Sequence, residues 1–524
     1  MTELSASARR VPALADAADW LARLSGWRRR GVVYAVGVFA TLALPPVYFL
    51  PALYLSFPAL VWVLAGAENR RSAFAIGWWF GFGFFTASLY WIGNALLVFA
   101  AKHAWMVPFA ALGLPAFLAF YTGLAGLAAS FARNHLQRAL LLAAAWAAAE
   151  WLRGHLFTGF PWNLVGQSWG AFDSLLQIAA IVGIYGVTLF AVASASLPAA
   201  LVGERNGRRW LLAAISIFLI AAPWIGGSLR LAAAPAPGEQ IVAGIGLRIV
   251  QAGIPQREKW RRDLRQRNFE LHLGLSNENR PDWISHIIWP ENAATFFVEE
   301  RPLERQAIAS VLPSGGLLVT GAPRRMRSPL RVWNSVFAID ERGSIVGRYD
   351  KFHLVPFGEY VPLRGWLPID KVTQGAVDYS AGPGPQTLKL PGLPAVSALV
   401  CYEAIFPGEV VDRSDPAAWM LNLTNDAWYG VTAGPHQHLA ISRVRAVEEG
   451  LPMVRAANTG ISAVIDPYGR ELARLGLTEK GTLDARLPAA LAAAPFYAKY
   501  GEASFWLAVL LVSVVAIFAR RHEG

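Results

Sequence analysis

The chain has 524 residues, 55% of them hydrophobic and only 16% charged, with a net charge of +11 and a mean hydropathy of +0.36. That is less charge than an ordinary soluble domain carries, and 21 Trp and 28 Phe suit side chains anchored at membrane interfaces. The positive charge falls in short Arg clusters between apolar stretches, which argues against a nucleic-acid partner and for cytoplasmic loops.

Residues 1–30, with Arg9-Arg10 and Arg28-Arg29-Arg30, are expected to form a cytoplasmic N-terminus. Apolar segments continue where a signal peptide would give way to a polar mature chain, so an uncleaved first span is expected. Residues 31–228 are expected to be a membrane domain of seven transmembrane helices, near 31–46, 51–67, 72–99, 105–131, 139–152, 177–202 and 210–228. The first and fifth fall short of a straight crossing of the hydrocarbon core. The clusters at 28–30, 68–71, 133–138 and 204–209 all lie on one side of that arrangement, the cytoplasmic side by the positive-inside rule.

Residues 229–240, rich in Pro and Ala, read as a linker. From 241 to 490 charge becomes frequent and apolar runs shorten to strand length. Strands are expected at 245–251, 283–289, 316–320, 332–340, 396–400, 418–423 and 461–466, with helices at 258–276 and 435–449. This is an α/β domain, and after seven spans it lies outside the cytoplasm. Residues 491–524 supply a last span, 505–519, and a short cytoplasmic tail with Arg520-Arg521-His522. Eight spans with both ends inside satisfy every cluster.

Cys401 is the single cysteine, so no intramolecular disulfide accounts for it. The apolar run Val396–Val400 delivers it, as a strand delivers a residue to a site. Two other segments share that design: Ile287-Ile288-Trp289-Pro290-Glu291-Asn292, and Tyr349-Asp350-Lys351-Phe352-His353 continuing to Glu359. Strand-end loops are where scaffolds carry catalytic groups. A Glu, a Lys and a Cys delivered this way form a nucleophilic set. The carboxylate takes the thiol proton, the thiolate attacks a carbonyl, and the ammonium stabilises the oxyanion and lowers the thiol pKa. The chain has no P-loop, no dinucleotide-binding glycine fingerprint and no cysteine-based metal site, and His436 and His438 are not spaced as a helical metal pair.

Trp289-Pro290-Glu291, Lys351 to Pro362 and Cys401-Tyr402-Glu403 resemble the three signatures of the carbon–nitrogen hydrolase (nitrilase) superfamily. Glu150 to Gly154, Phe157 to Asn163, Asn422 to Gly430, Gly434 to His438 and Arg455 to Ser462 extend the resemblance to the apolipoprotein N-acyltransferase family of Gram-negative inner membranes. The resemblance implies an αββα sandwich in the periplasm beside a polytopic helical membrane domain. Glu291 is similar to its general base, Lys351 to its oxyanion-stabilising lysine, Cys401 to its acylated nucleophile and Glu359 to its second acidic residue. Tyr402 and Glu403 match residues flanking the nucleophile, with the Tyr402 N–H a candidate oxyanion donor. Trp260 and Asn334 match further positions on which the family relies. Leu451 stands where many members carry Arg.

The implied reaction is ping-pong acyl transfer from a membrane phospholipid, phosphatidylethanolamine foremost, to the α-amino group of a lipoprotein's N-terminal diacylglyceryl-cysteine. No metal or organic cofactor is implied, and a monomer is expected. Aromatic residues Phe157, Phe160, Trp162, Phe357 and Trp366 are candidates for a lipid-facing portal. Two other readings remain: a membrane-bound amidase using the same triad, and a transporter or receptor with a periplasmic sensing domain.

Overall fold

The computed structural model describes residues 12–202, 206–366, 369–375 and 377–519. The Arg9-Arg10 pair, Glu204-Arg205 and the Arg520-Arg521-His522 tail lie outside the described residues. The chain forms two compact units. Of the described residues, one comprises 12–90, Pro108–Arg230 and 500–519; the other comprises Trp91–Val107 and those of Leu231–Lys499.

The first unit is helical. Among the described residues, three helices are long and apolar enough to cross a membrane: Ala100–Ala129, Ala179–Leu201 and Arg208–Ala232; Pro51–Ala65 and Ala503–Phe518 are apolar but shorter. The segment expected to span 139–152 lies within the helix His135–His155, capped by the Asn134 side chain accepting from Gln137 N. This helix buries a polar network. Glu150 accepts from Trp146 Nε1 (3.0 Å), Val165 N (3.0 Å) and Thr188 Oγ1 (2.7 Å). Arg153 donates to the carbonyls of Phe160 (2.6 Å) and Trp162 (2.7 Å). Buried charges survive only when so bonded, and this pair ties the Phe157–Asn163 turn to its helix. Trp162 is 1% exposed, which removes it from the proposed portal aromatics, whereas Phe157 is 84% exposed.

The expected span 72–99 is broken. Its helix, Arg70–Ser88, ends before the second unit begins, and a separate short helix, Ile92–Leu97, belongs to that unit. Polar anchoring explains the break. Trp91 Nε1 donates to Gln437 Oε1 (3.0 Å), Asn94 Nδ2 donates to the Tyr429 carbonyl (3.1 Å), and Arg257 donates to the carbonyls of Leu97 and Val98 (both 3.1 Å).

Among the described residues the second unit has twelve strands: β1 (Ile241–Gln251), β2 (His286–Ile288), β3 (Leu317–Arg327), β4 (Leu330–Asp340), β5 (Ile345–Asp350), β6 (Thr387–Leu388), β7 (Val396–Val400), β8 (Trp419–Thr424), β9 (Met453–Ala457), β10 (Ser462–Ile465), β11 (Glu471–Leu475) and β12 (Gly481–Pro488). They form two six-stranded sheets, ordered β12-β1-β2-β3-β4-β5 and β11-β10-β9-β8-β7-β6. Period-two alternation sends Leu247, Ile249, Ile288, Val319 and Val336 of the first sheet against Val396, Ala398, Val400, Leu421, Leu423 and Val454 of the second. The opposite face of the first sheet packs on Phe269, Leu275 and Ile308, and that of the second on Leu439 and Ala446 of the helix Ala433–Glu449. Helix layers thus cover both outer faces, the αββα sandwich anticipated. Buried side chains on both faces explain why β7 and β8 read as largely apolar runs.

The helix expected at 258–276 is interrupted: one turn, Gln256–Lys259, stops before Arg265–Asn277. Arg261 is extended, with φ −67° and ψ 127°, and Lys259, at the end of the turn before it, is buried.

Candidate active site

The site gathers where β2, β5 and β7 end. Glu291 follows β2 through Trp289 and Pro290, Lys351 follows β5 directly, and Cys401 follows β7 directly. All three are buried. Cys401 itself has φ +52°, Asn292 +47° and Phe357 +61°. Such left-handed conformations in non-glycine residues cost free energy and persist where the surrounding structure enforces them. The enforcement at Cys401 is visible. Its carbonyl accepts from Asn422 Nδ2 (3.2 Å) and lies 3.1 Å from His438 Nε2. Gly321 on β3 makes room for the Glu291 bend, since a Cβ there would sit 2.5 Å from Asn292 N and 2.6 Å from Glu291 Cα.

Asn334, on β4, is the hub. Its Nδ2 donates to Glu291 Oε1 (2.7 Å) and to Glu359 Oε1 (3.0 Å), and its Oδ1 accepts from Asn292 Nδ2 (3.2 Å). Glu359 Oε2 lies 2.8 Å from Lys351 Nζ and accepts from Val355 N at 2.9 Å. A carboxylate, an amide, a second carboxylate and an ammonium therefore form one chain of hydrogen bonds. Glu403 stands behind it, accepting from Tyr349 Oη (2.9 Å), Phe352 N (2.7 Å), His353 N (3.1 Å) and Val400 N (2.6 Å). It locks the Lys351 and Cys401 loops together. Tyr402 is buried and packs edge-on against Phe406.

Burial sets the electrostatics. It pushes the Cys401 thiol up to about 12, with Glu291 adding to the rise and Lys351 opposing it. Burial also raises Glu291, against the pull of Lys351. For Lys351 burial acts downward, but Glu359 and Glu291 overcome it and hold the ammonium charged. Burial raises Glu403 to about 7 while Lys351 opposes the rise. At rest the thiol keeps its proton, beside a basic carboxylate and a fixed cation.

Residues to which the sequence reading gave no role complete the surroundings. Thr424 donates its hydroxyl to Asp426 Oδ1 at 3.0 Å, and burial, followed by the charge of Cys401, acts to raise the Tyr429 hydroxyl. Asp426 is 2.6 Å from the Arg455 guanidinium and 2.9 Å from His438 Nδ1, all fully buried. Cys401, Asp426 and His438 each offer a ligand atom within 4.8 Å of the others. Yet Asp426 is already bonded to Arg455, His438 and Thr424, and a guanidinium on the same carboxylate disfavours a second cation there. Trp260 is half-buried; the neighbour that reaches the site is Lys259, whose Nζ donates to the Glu291 carbonyl at 2.8 Å. Leu451 packs against the core under the helix Ala433–Glu449.

Residues 36–197 match the family model of the apolipoprotein N-acyltransferase N-terminal domain, and residues 247–495 match that of carbon–nitrogen hydrolases. The apolipoprotein N-acyltransferase of Rhodopseudomonas palustris is 41% identical to this chain, over 95% of it and 96% of its own length. That of Agrobacterium fabrum is 42% identical, over 94% and 96%. The chain belongs to the apolipoprotein N-acyltransferase family. An amidase from Nesterenkonia sp. is 20% identical, with 51% of this chain and 98% of its own aligned at a TM-score of 0.36. Within the family frame, Glu291, Lys351 and Cys401 all fall inside the carbon–nitrogen hydrolase match, and the buried Glu150–Arg153 network falls inside the N-terminal-domain match.

Proposed function

We propose that this apolipoprotein N-acyltransferase moves a fatty acyl chain from a phospholipid to the α-amino group of an N-terminal diacylglyceryl-cysteine through a thioester on Cys401. The observation that carries the reading is the buried chain Glu291–Asn334–Glu359–Lys351 arranged around the single cysteine. Glu291 takes the Cys401 proton as sulfur attacks the ester carbonyl. The tetrahedral oxyanion forms beside Lys351, with the Tyr402 N–H as second donor. The C–O bond then breaks, Glu291 returns the proton to the departing oxygen, and a lysophospholipid leaves. In the second half the amine attacks the thioester carbonyl and gives a proton to Glu291, the C–S bond breaks, and Glu291 passes that proton to the departing sulfur, regenerating the thiol and its own carboxylate. Burial protects the thioester from water between the two halves.

The apolar helices support a multi-pass membrane protein, and the one-sided Arg clusters support eight spans with the catalytic unit in the periplasm of a Gram-negative cell and both termini in the cytoplasm. The domain limits that go with this topology are 31–228 for seven spans, 229–240 for the linker and 241–490 for the catalytic unit. Phosphatidylethanolamine is the expected donor.

The test is a transfer assay with purified enzyme, phosphatidylethanolamine carrying a labelled acyl chain, and a synthetic diacylglyceryl-cysteine peptide. Label on the peptide amine with wild type, and none with Cys401→Ala, supports the reading. Transfer by the alanine variant, or ammonia release from small amides without lipid, overturns it.

A further inference from the structure

Lys259 ends the one-turn helix Gln256–Lys259 and is 2% exposed. Its ammonium makes no ion pair with a carboxylate among the described residues, and its hydrogen bond goes to the Glu291 carbonyl, 2.8 Å away. A buried ammonium with only a neutral acceptor is costly. What offsets the cost is the site's own charge, since both Glu291 and Cys401 act on it electrostatically. The balance of the site shows why a second cation belongs there. Lys351 faces Glu291, Glu359, Glu403 and, once formed, the Cys401 thiolate. Asp426 has its own partners in Arg455 and His438. With Lys351 alone, the site holds an excess of buried negative charge whether the proton sits on the thiol with Glu291 ionised or on Glu291 with the thiolate formed.

We propose that Lys259 is a positioning residue of the acyl-transfer site: it pins the backbone of Glu291 and supplies the second positive charge that stabilises the Glu291 carboxylate and the Cys401 thiolate. The proposal rests on the reading of Cys401 as nucleophile. The other groups facing Lys259 do not compete for the role. His272, on the helix Arg265–Asn277, is buried and held neutral near 4, chiefly by burial, with Lys259 contributing. Glu258 turns away to Arg267, 2.7 Å distant. Burial pulls Lys259 itself down to about 8, against Glu291 and Cys401, so its charge is present below that pH and lost above it.

The experiment uses full-length enzyme in detergent and two readouts. One is the rate of Cys401 alkylation by iodoacetamide between pH 6 and 10, without phospholipid; the other is thioester formation from labelled phosphatidylethanolamine. Lys259→Met is expected to slow alkylation about 10-fold at pH 7, the equivalent of one unit on the thiol. The wild-type advantage then shrinks toward one as the pH passes about 8. Lys259→Arg keeps the charge, so its advantage persists above pH 8 even if misplacement lowers its absolute rate. Thioester formation follows the same pattern. A uniform loss at every pH in Lys259→Met, a wild-type advantage that does not fade near pH 8, or the same behaviour in Lys259→Arg as in Lys259→Met overturns the proposal. If Lys259→Met does not fold, the wild-type to Lys259→Arg ratio across pH 8 still decides. Should wild type form no thioester while the alkylation pattern holds, the charge role of Lys259 stands and the reading of Cys401 as acyl carrier fails.

Discussion

The Lys351 ammonium lies 2.8 Å from Glu359 Oε2, and both side chains are buried. Their contact fixes where the positive charge sits relative to Cys401. Glu359→Gln leaves the lysine without that partner, and breaking a buried pair from one side costs about 3–5 kcal/mol. A lower thermal midpoint in detergent and at least ~100-fold slower thioester formation are expected. A variant with wild-type midpoint and rate would show that the pair does not organise the site.

Asn334 donates from one amide nitrogen to two carboxylates. That donation favours ionised Glu291. Asn334→Ala removes it, so Glu291 holds its proton to higher pH and the rising limb of the thioester-formation profile moves upward. Each lost hydrogen bond to a charged group is worth about 1.5–3 kcal/mol. An unshifted limb would separate Asn334 from the base.

Asp426 governs acid stability. Burial acts to raise its carboxyl, but Arg455 and His438 overcome that and hold it below the ordinary carboxylate range. The folded value lies below the unfolded one, so the stabilisation is complete above the unfolded value near 3.9 and fades as pH falls through the folded value. Asp426→Asn is expected to lower the thermal midpoint at neutral pH, and the difference from wild type should narrow in strong acid. A constant difference across pH would contradict the assignment.

Gly321→Ala tests the close approach of β3 to the Glu291 bend. A Cβ would fall 2.5 Å from backbone, where no side chain can swing aside. Overpacking of this kind costs about 1–3 kcal/mol. The expected result is a folded enzyme with sharply reduced thioester formation; full activity would mean that the bend tolerates displacement.

Much of the sandwich was legible because β7 and β8 are buried on both faces and read as apolar runs. β11 and β12 were not, since half-exposed strands carry the charges of Glu471, Arg474, Asp484 and Arg486 among their apolar residues. The span expected at 72–99 failed at Tyr90-Trp91, where hydropathy cannot register that Trp91, Asn94 and the Leu97 and Val98 carbonyls bond to the catalytic unit. In the site, Glu291, Lys351 and Cys401 announce themselves by following strands, and Glu359 through the family resemblance of the Lys351 to Pro362 segment. Lys259 does not. It sits beside Trp260 in a charged, helix-like run whose pattern carries no sign that Lys259 is buried. Asp426, His438 and Arg455 were visible as motif residues, but their roles come from a buried network assembled across 29 residues of sequence.

The central claim is that Cys401 carries the acyl chain. Its most direct measurement is the intact mass, followed by peptide mapping, of purified enzyme incubated with phosphatidylethanolamine in the absence of acceptor. One acyl adduct on the Cys401 peptide, discharged by a diacylglyceryl-cysteine peptide and absent from Cys401→Ser, is the predicted result. An enzyme that acylates the acceptor without ever carrying the adduct, or that carries it on another residue, would contradict the account.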